Sequence, residues 1–214
     1  MAAMAFIPFL LAVGVVFCLL VGSELYWRLH KKHGELSRKF VHITVGSFVA
    51  TWPFFLGWGQ IQVLSVAFLL VVSASKYLKV FQAIHSVQRP TWGELFFALA
   101  VGLTTLVHQN KYLFAAALLH MSLADGLAAI IGTRYGYKSQ YHIAGHAKSL
   151  IGTATFIIVS LGILLVYGLV AGVTLQPYVL LAIALSTAGV ENIGVLGLDN
   201  LLVPLLVALT LNNY

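Results

Sequence analysis

Asp125 lies within Leu119-His120-Met121-Ser122-Leu123-Ala124-Asp125-Gly126-Leu127-Ala128-Ala129-Ile130-Ile131-Gly132, a predominantly apolar run. A carboxylate held in such a helix at membrane depth costs about 2.5 kcal/mol or more unless it is paired or hydrated, and such groups usually mark function. Ala128, Ala129 and Gly132 follow at helical spacing and share its face. Small residues there let a ligand or another backbone approach closely.

Ser37-Arg38-Lys39-Phe40-Val41-His42 supplies a second candidate. Arg38, Lys39 and His42 line one helical flank. Arginine offers a planar fork to phosphate oxygens and lysine a point charge. Bases at a span end also serve as topology anchors. A third candidate runs from Gly132-Thr133-Arg134-Tyr135-Gly136 to Gly145-His146-Ala147-Lys148-Ser149-Leu150-Ile151-Gly152-Thr153. Amides at a helix start, a hydroxyl and a lysine make a phosphate cradle. The spacing is not that of a P-loop. Ser149 is equally suited to be the N-cap of the following helix. His142 and His146 are four apart, but no cysteine or acid beside them completes a metal site.

Glu191-Asn192 and Asp199-Asn200 bring acids and amides between two short apolar segments, an oxygen-rich set that suits Mg²⁺. Glu94, in Trp92-Gly93-Glu94, stands at a helix start, where the dipole alone favours it. A basic grip, a glycine-rich loop and several carboxylates are the apparatus of phosphoryl transfer. On residues alone the reading is a membrane enzyme handling a phosphorylated or nucleotide substrate.

These residues are carried by apolar segments. The chain has 214 residues, 60% hydrophobic and 8% charged, where soluble domains carry about 25% charged. Backbone in lipid must bond internally, so the apolar stretches predict helices; the alternation of a membrane β-barrel is absent. The expectation is one all-α domain over residues 1–214, a polytopic transmembrane helical bundle of seven to eight spans. The spans run from about Phe6 to Leu25, Phe40 to Gly57, Gln60 to Tyr77, Thr91 to Val107, Tyr112 to Ile131, Ser149 to Val173 and Pro177 to Val190. A short last helix covers about Asn200 to Leu211. A basic hinge (Trp27 to Lys39), a polar connection with Lys76, Lys79, His85 and Arg89, and a loop from Gly132 to Lys148 join them. Phe6 to Val21 lacks a basic start and a small-residue cleavage site, so it reads as a retained span rather than a signal peptide. The single cysteine, Cys18, excludes an internal disulfide.

With the N-terminus outside, all the Lys and Arg residues except Lys111 fall on the cytoplasmic side, which obeys the positive-inside rule. The net charge of +6 is thus topology, with some left for a polyanionic substrate, and nucleic acid is not an expected partner. The six acids fall on that same side, and acids and bases sharing one membrane face suggest a site facing the cytoplasm.

The sequence resembles the membrane kinases that include phytol kinase, dolichol kinase and CTP-dependent diacylglycerol kinase. The resemblance rests on an ordered set: Arg38-Lys39-x-x-His42, Gly93-Glu94, Ala124-Asp125-Gly126 with Gly132 and Gly136, Lys148-Ser149-x-x-Gly152, and Glu191 followed by Asp199-Asn200-x-x-x-Pro204. The last element looks most like the phytol and bacterial polyprenol kinase branch. The loop between Gly136 and Lys148 departs from the family's Gly-x-Lys-x-x-x-Lys pattern. The chain is also short beside the long dolichol kinases, which argues against a dolichol-length acceptor.

The resemblance implies phosphoryl transfer from CTP, or another nucleotide, to the hydroxyl of a lipid alcohol such as phytol, a polyprenol or diacylglycerol. It places Arg38, Lys39, Asp125 and Gly132 in the nucleotide-handling core. The expected assignment is then nucleotide contact by Arg38, Lys39, His42, Gly132, Lys148 and Ser149. Asp125, Glu191, Asp199 and Asn200 are the expected Mg²⁺ ligands, with Asp125 and Glu94 as catalytic residues. The alternatives are a phosphatidate cytidylyltransferase, which would release pyrophosphate, and a small transporter. The transporter is disfavoured because its polar site would lie near the midplane.

Overall fold

In the computed structural model, which describes residues 2–29, 35–78, 91–143 and 146–214, every long apolar run is helical. Lys79, His85 and Arg89 of the polar connection, and Lys31 and Lys32 of the basic hinge, lie outside the described residues. The helices are α1 (Ala2–Leu29), α2 (Glu35–Ala50), α3 (Trp58–Leu78), α4 (Gly93–Val107), α5 (Lys111–Leu119), α6 (Asp125–Tyr135), α7 (Leu150–Ala171), α8 (Pro177–Ile193) and α9 (Asp199–Leu211).

Among the described residues four stretches are long and apolar enough to cross a bilayer: Phe6–Tyr26, Trp58–Ser75, Lys111–Tyr135 and Leu150–Ala171. Their outward faces are apolar, as at Phe17, Leu70, Ile158 and Leu169. That is fewer than the seven to eight spans expected. The remaining helices fall short of the roughly 20 residues a full crossing needs: α2 has 16, α4 has 15, α8 has 17 and α9 has 13. Pro53 explains the early end of α2. Proline disfavours helical backbone in the residue before it, and the chain passes into a 3₁₀ turn at Trp52–Phe54.

The fifth predicted span is longer than expected. Asn110 caps it, its side chain accepting from the Tyr112 and Leu113 amides. The helix then continues through a π-helical turn at His120–Ala124 straight into α6. This rod is the centre of the bundle, packed by α2, α7 and α9. Phe114, Leu118 and Met121 on it, Phe156 and Leu164 on α7, and Val203 and Val207 on α9 form the core.

The predicted loop at Gly132 to Lys148 is more ordered than its polar sequence indicated. It holds a 3₁₀ turn and an antiparallel hairpin, β1 (Gln140–Ile143) against β2 (His146–Ser149), with Tyr141 opposite Lys148. This hairpin is the one departure from an all-helical chain among the described residues. The opposite end of the bundle carries Lys111, whose ammonium lies over the Phe54 and Tyr112 rings.

Candidate active site

A cavity of about 330 Å³ opens where helices stop short. The start of α2 gives it Arg38 and Lys39, α6 gives Asp125 and Gly132, and β2 gives Lys148 and Ser149. The end of α8 gives Glu191 and the start of α9 Asp199. Residues far apart in the sequence thus share one polar chamber at one end of the bundle.

Asp125 is its floor. Its carboxylate accepts from the Lys39 ammonium at 2.5 Å, and both side chains are buried. Two local features allow this depth. The π turn before Asp125 loosens the regular hydrogen-bond ladder, and the Met121 carbonyl accepts a hydrogen bond from His42 Nε2 at 2.9 Å. That same nitrogen lies 3.6 Å from Asp125 Oδ2. Tight crossings then hold α2 against this rod. A side chain at Gly46 would strike Ser122, and one at Gly126 would strike Ile43.

The small-residue face that follows Asp125 does what its spacing predicted. Gly132 meets the start of α7, where an added Cβ would lie 3.1 Å from the Gly152 Cα. Ala128, Ala129, Gly132 and Gly152 line the cavity there. Ser149 is the N-cap of α7, its hydroxyl accepting from the Gly152 amide at 3.1 Å. Ser149 thus caps the helix and also lines the chamber.

Lys148 forms the rim. Its ammonium donates to the Glu191 carboxylate and, at 3.1 Å, to the Glu191 carbonyl. Burial works against that charge, but Glu191, with Asp125 and Asp199 behind it, outweighs burial and holds the lysine's pKa above its usual range. Tyr141, opposite Lys148 on the hairpin, projects to the same side. Its hydroxyl donates to Asn192 Oδ1 at 2.7 Å and lies 2.5 Å from Thr153 Oγ1. The hairpin thus clasps the end of α8 through two neighbouring side chains. Sequence reasoning missed Tyr141, whose partners are distant in the chain.

It also missed the turn before α9. Leu196 adopts a left-handed backbone at φ 57° and Gly197 at φ 88°. The Leu196 carbonyl accepts from the Trp92 amide at 2.9 Å. Gly197 passes so close to Gly93 that a Cβ would have no room. This contact ties the starts of α4 and α9 together.

Three predicted residues fall outside the main chamber. His42, Glu94 and Asn200 line an adjoining cavity of about 50 Å³, which Arg38 also borders. The Asn200 amide donates to the Gly93 carbonyl at 2.9 Å and helps build the partition. Among the described residues no three His, Cys, Asp or Glu side chains already stand close enough to grip an ion by themselves. Asp125 and Glu191 are each engaged by a lysine. The Asp199 carboxylate makes no hydrogen bond or ion pair among the described residues.

No family model matches the chain, and no solved structure does. A phytol kinase from Synechocystis sp. is 35% identical over 211 residues, covering 93% of this chain and 89% of that protein. At that identity, and over nearly the full length of both proteins, the chain belongs to the phytol kinase family and is a kinase, a phosphotransferase with an alcohol acceptor.

Proposed function

We propose that this kinase transfers a phosphoryl group from a nucleotide, CTP in the first instance, to the hydroxyl of a lipid alcohol such as phytol or a polyprenol. The observation that carries the reading is the chamber itself. Arg38, Lys39 and Lys148 meet Asp125, Glu191 and Asp199 there, among amides and hydroxyls at helix starts. Positioning and charge stabilisation are most of what phosphoryl transfer asks of a protein.

In this scheme the triphosphate docks against Arg38 and Lys148, with the positive end of the α7 dipole facing it. Asp199 and Asp125 are the proposed ligands for Mg²⁺, which when bound neutralises charge on the phosphates. The residues fit that ion, because Mg²⁺ uses one or two protein carboxylates and takes its other oxygens from phosphate and water. Lys39 fixes the Asp125 carboxylate. Glu191 serves as the partner of Lys148. Glu94 orients the acceptor hydroxyl. The phosphorus–oxygen bond to the departing nucleoside diphosphate breaks as the alcohol oxygen attacks, and the hydroxyl proton passes to the Glu94 carboxylate.

The chamber is proposed to open to the cytoplasm, with the shorter helices completing a seven- or eight-span bundle. Diacylglycerol stands as a weaker acceptor candidate. A purified preparation given labelled CTP or ATP and phytol, farnesol or diacylglycerol tests the reading. The expected products are a lipid phosphate and a nucleoside diphosphate. Pyrophosphate with a CDP-lipid would instead identify a cytidylyltransferase.

A further inference from the structure

An apolar groove of about 190 Å³ runs between α1, α2, α3 and α4. Val13, Val16 and Phe17 of α1, Val45 and Val49 of α2, Ala67 and Val71 of α3, and Val101 of α4 are among its walls. Phe17 and Val71 are also exposed on the outer surface, so the groove reaches the lipid-facing side. Among the described residues the principal packing of α1 is against α2 rather than α3, which leaves the flank between α1 and α3 for entry.

The groove adjoins the catalytic end. Leu20, Val45, Phe68 and Phe97 border both the groove and the small cavity that holds Glu94. Arg38 borders both that small cavity and the polar chamber. Apolar groove, junction and chamber therefore lie in series, each sharing wall residues with the next, with the Gly93–Asn200 partition between junction and chamber. Polarity changes at the junction, where Glu94 Oε1 is buried and accepts no hydrogen bond among the described residues. A buried carboxylate oxygen left without a donor is costly, and a hydroxyl arriving from the groove supplies one.

We infer that this groove holds the hydrocarbon tail of a single-chain alcohol, whose hydroxyl donates to Glu94 at the junction while facing the chamber past Arg38. The inference rests on the kinase reading above and adds the path of the acceptor. The junction has only about 50 Å³ against about 190 Å³ in the groove. A single chain ending in a hydroxymethyl group suits so small a junction better than a glycerol carrying two ester-linked chains.

Two measurements test it. In the first, Ala67→Trp obstructs the groove beyond the junction, at an exposed position whose enlargement leaves the core intact. The KM ratio of phytol to a five-carbon prenyl alcohol is expected to rise about tenfold, because only the longer tail loses burial there. Ile158→Trp, on the outer face of α7, should leave that ratio unchanged. In the second, an alcohol carrying a diazirine at its tail end is irradiated with the nucleotide-free protein. Label should fall on α1 between Val13 and Leu20 or on α3 between Leu64 and Val71, and excess phytol should suppress it.

Label on the outer faces of α7 and α8, label that phytol does not displace, or an unchanged ratio in Ala67→Trp overturns the groove assignment. The photolabel reads tail binding without turnover. Absence of phosphorylation on any alcohol therefore defeats the kinase–acceptor reading separately from the groove.

Discussion

Two lysine–carboxylate pairs face the same chamber from unequal depths. Lys39 and Asp125 sit on α2 and α6 with side chains 7% and 4% exposed. Lys148, on the hairpin, keeps 24% of its side chain exposed beside Glu191 at 8%. A buried pair of the first kind gains strength from its low-dielectric surroundings, and removing one member strands the other. The second pair is reached by water and worth correspondingly less. The chamber therefore has a fixed floor and an exchangeable rim. In the proposed scheme an arriving nucleotide draws Lys148 from Glu191 at modest cost, while Lys39 and Asp125 stay locked and hold the geometry.

The most severe way to break this contrast is at the floor. Asp125→Ala leaves the Lys39 ammonium buried and alone, at a cost of about 3–5 kcal/mol. Thermal unfolding in micelles should register that loss. Asp125→Asn is milder for the fold but is expected to reduce kcat by about 10²–10³-fold. Wild-type turnover in Asp125→Asn would dispose of Asp125 as the catalytic centre. The double variant Lys39→Met/Asp125→Leu should regain most of the stability and none of the activity. If it regained activity, the pair would be structural only.

The rim should respond differently. Lys148→Ala is expected to raise the nucleotide KM about tenfold, equal to about 1.4 kcal/mol. The unfolding midpoint should move by no more than a few degrees, because the pair is partly solvated. Raised salt should weaken nucleotide binding in the wild type and less so in Lys148→Ala. A loss of folding in Lys148→Ala comparable to that in Asp125→Ala would erase the distinction between floor and rim.

The floor was more legible in the sequence than the rim. A lone carboxylate in an apolar run announces itself, as Asp125 did, and the small residues on its face followed from helical period alone. Ser149 before an apolar run was a recognisable cap. The π turn at His120–Ala124 left no such trace, since its residues fit an ordinary helix by composition. The hairpin reads as loop in the sequence because its glycines and polar residues obscure a four-residue alternation, and its clasp on Asn192 depends on tertiary contact. The expected spans outnumber the four long apolar stretches among the described residues for a related reason. Hydropathy marks apolar segments but does not reveal that α2, α8 and α9 stop short around one cavity and α4 beside a smaller one. Glu94 was placed correctly at a helix start, yet the partition formed by Gly93 and Asn200 sets it in the adjoining cavity.

Smaller effects sharpen the contrast at the rim. Ser149→Ala removes the cap of α7 and should cost about 1 kcal/mol. Hydrogen exchange should quicken at Gly152 and in the hairpin but not around Asp125, if the rim opens independently of the floor.

The gentlest test concerns Leu196, held at φ 57° while its carbonyl accepts from Trp92. A left-handed backbone costs a residue with a Cβ about 1–2 kcal/mol, and glycine avoids that cost but loses about 0.5–1 kcal/mol of chain entropy. Leu196→Gly should therefore leave stability within about 1 kcal/mol of wild type. Leu196→Val should lower it, because branching at Cβ suits this backbone least. The side chain is 45% exposed, so lost packing contributes little to either change. Equal stabilities for the two variants would mean that the turn relaxes to negative φ at no cost. The Trp92–Leu196 bond would then not be what joins the starts of α4 and α9.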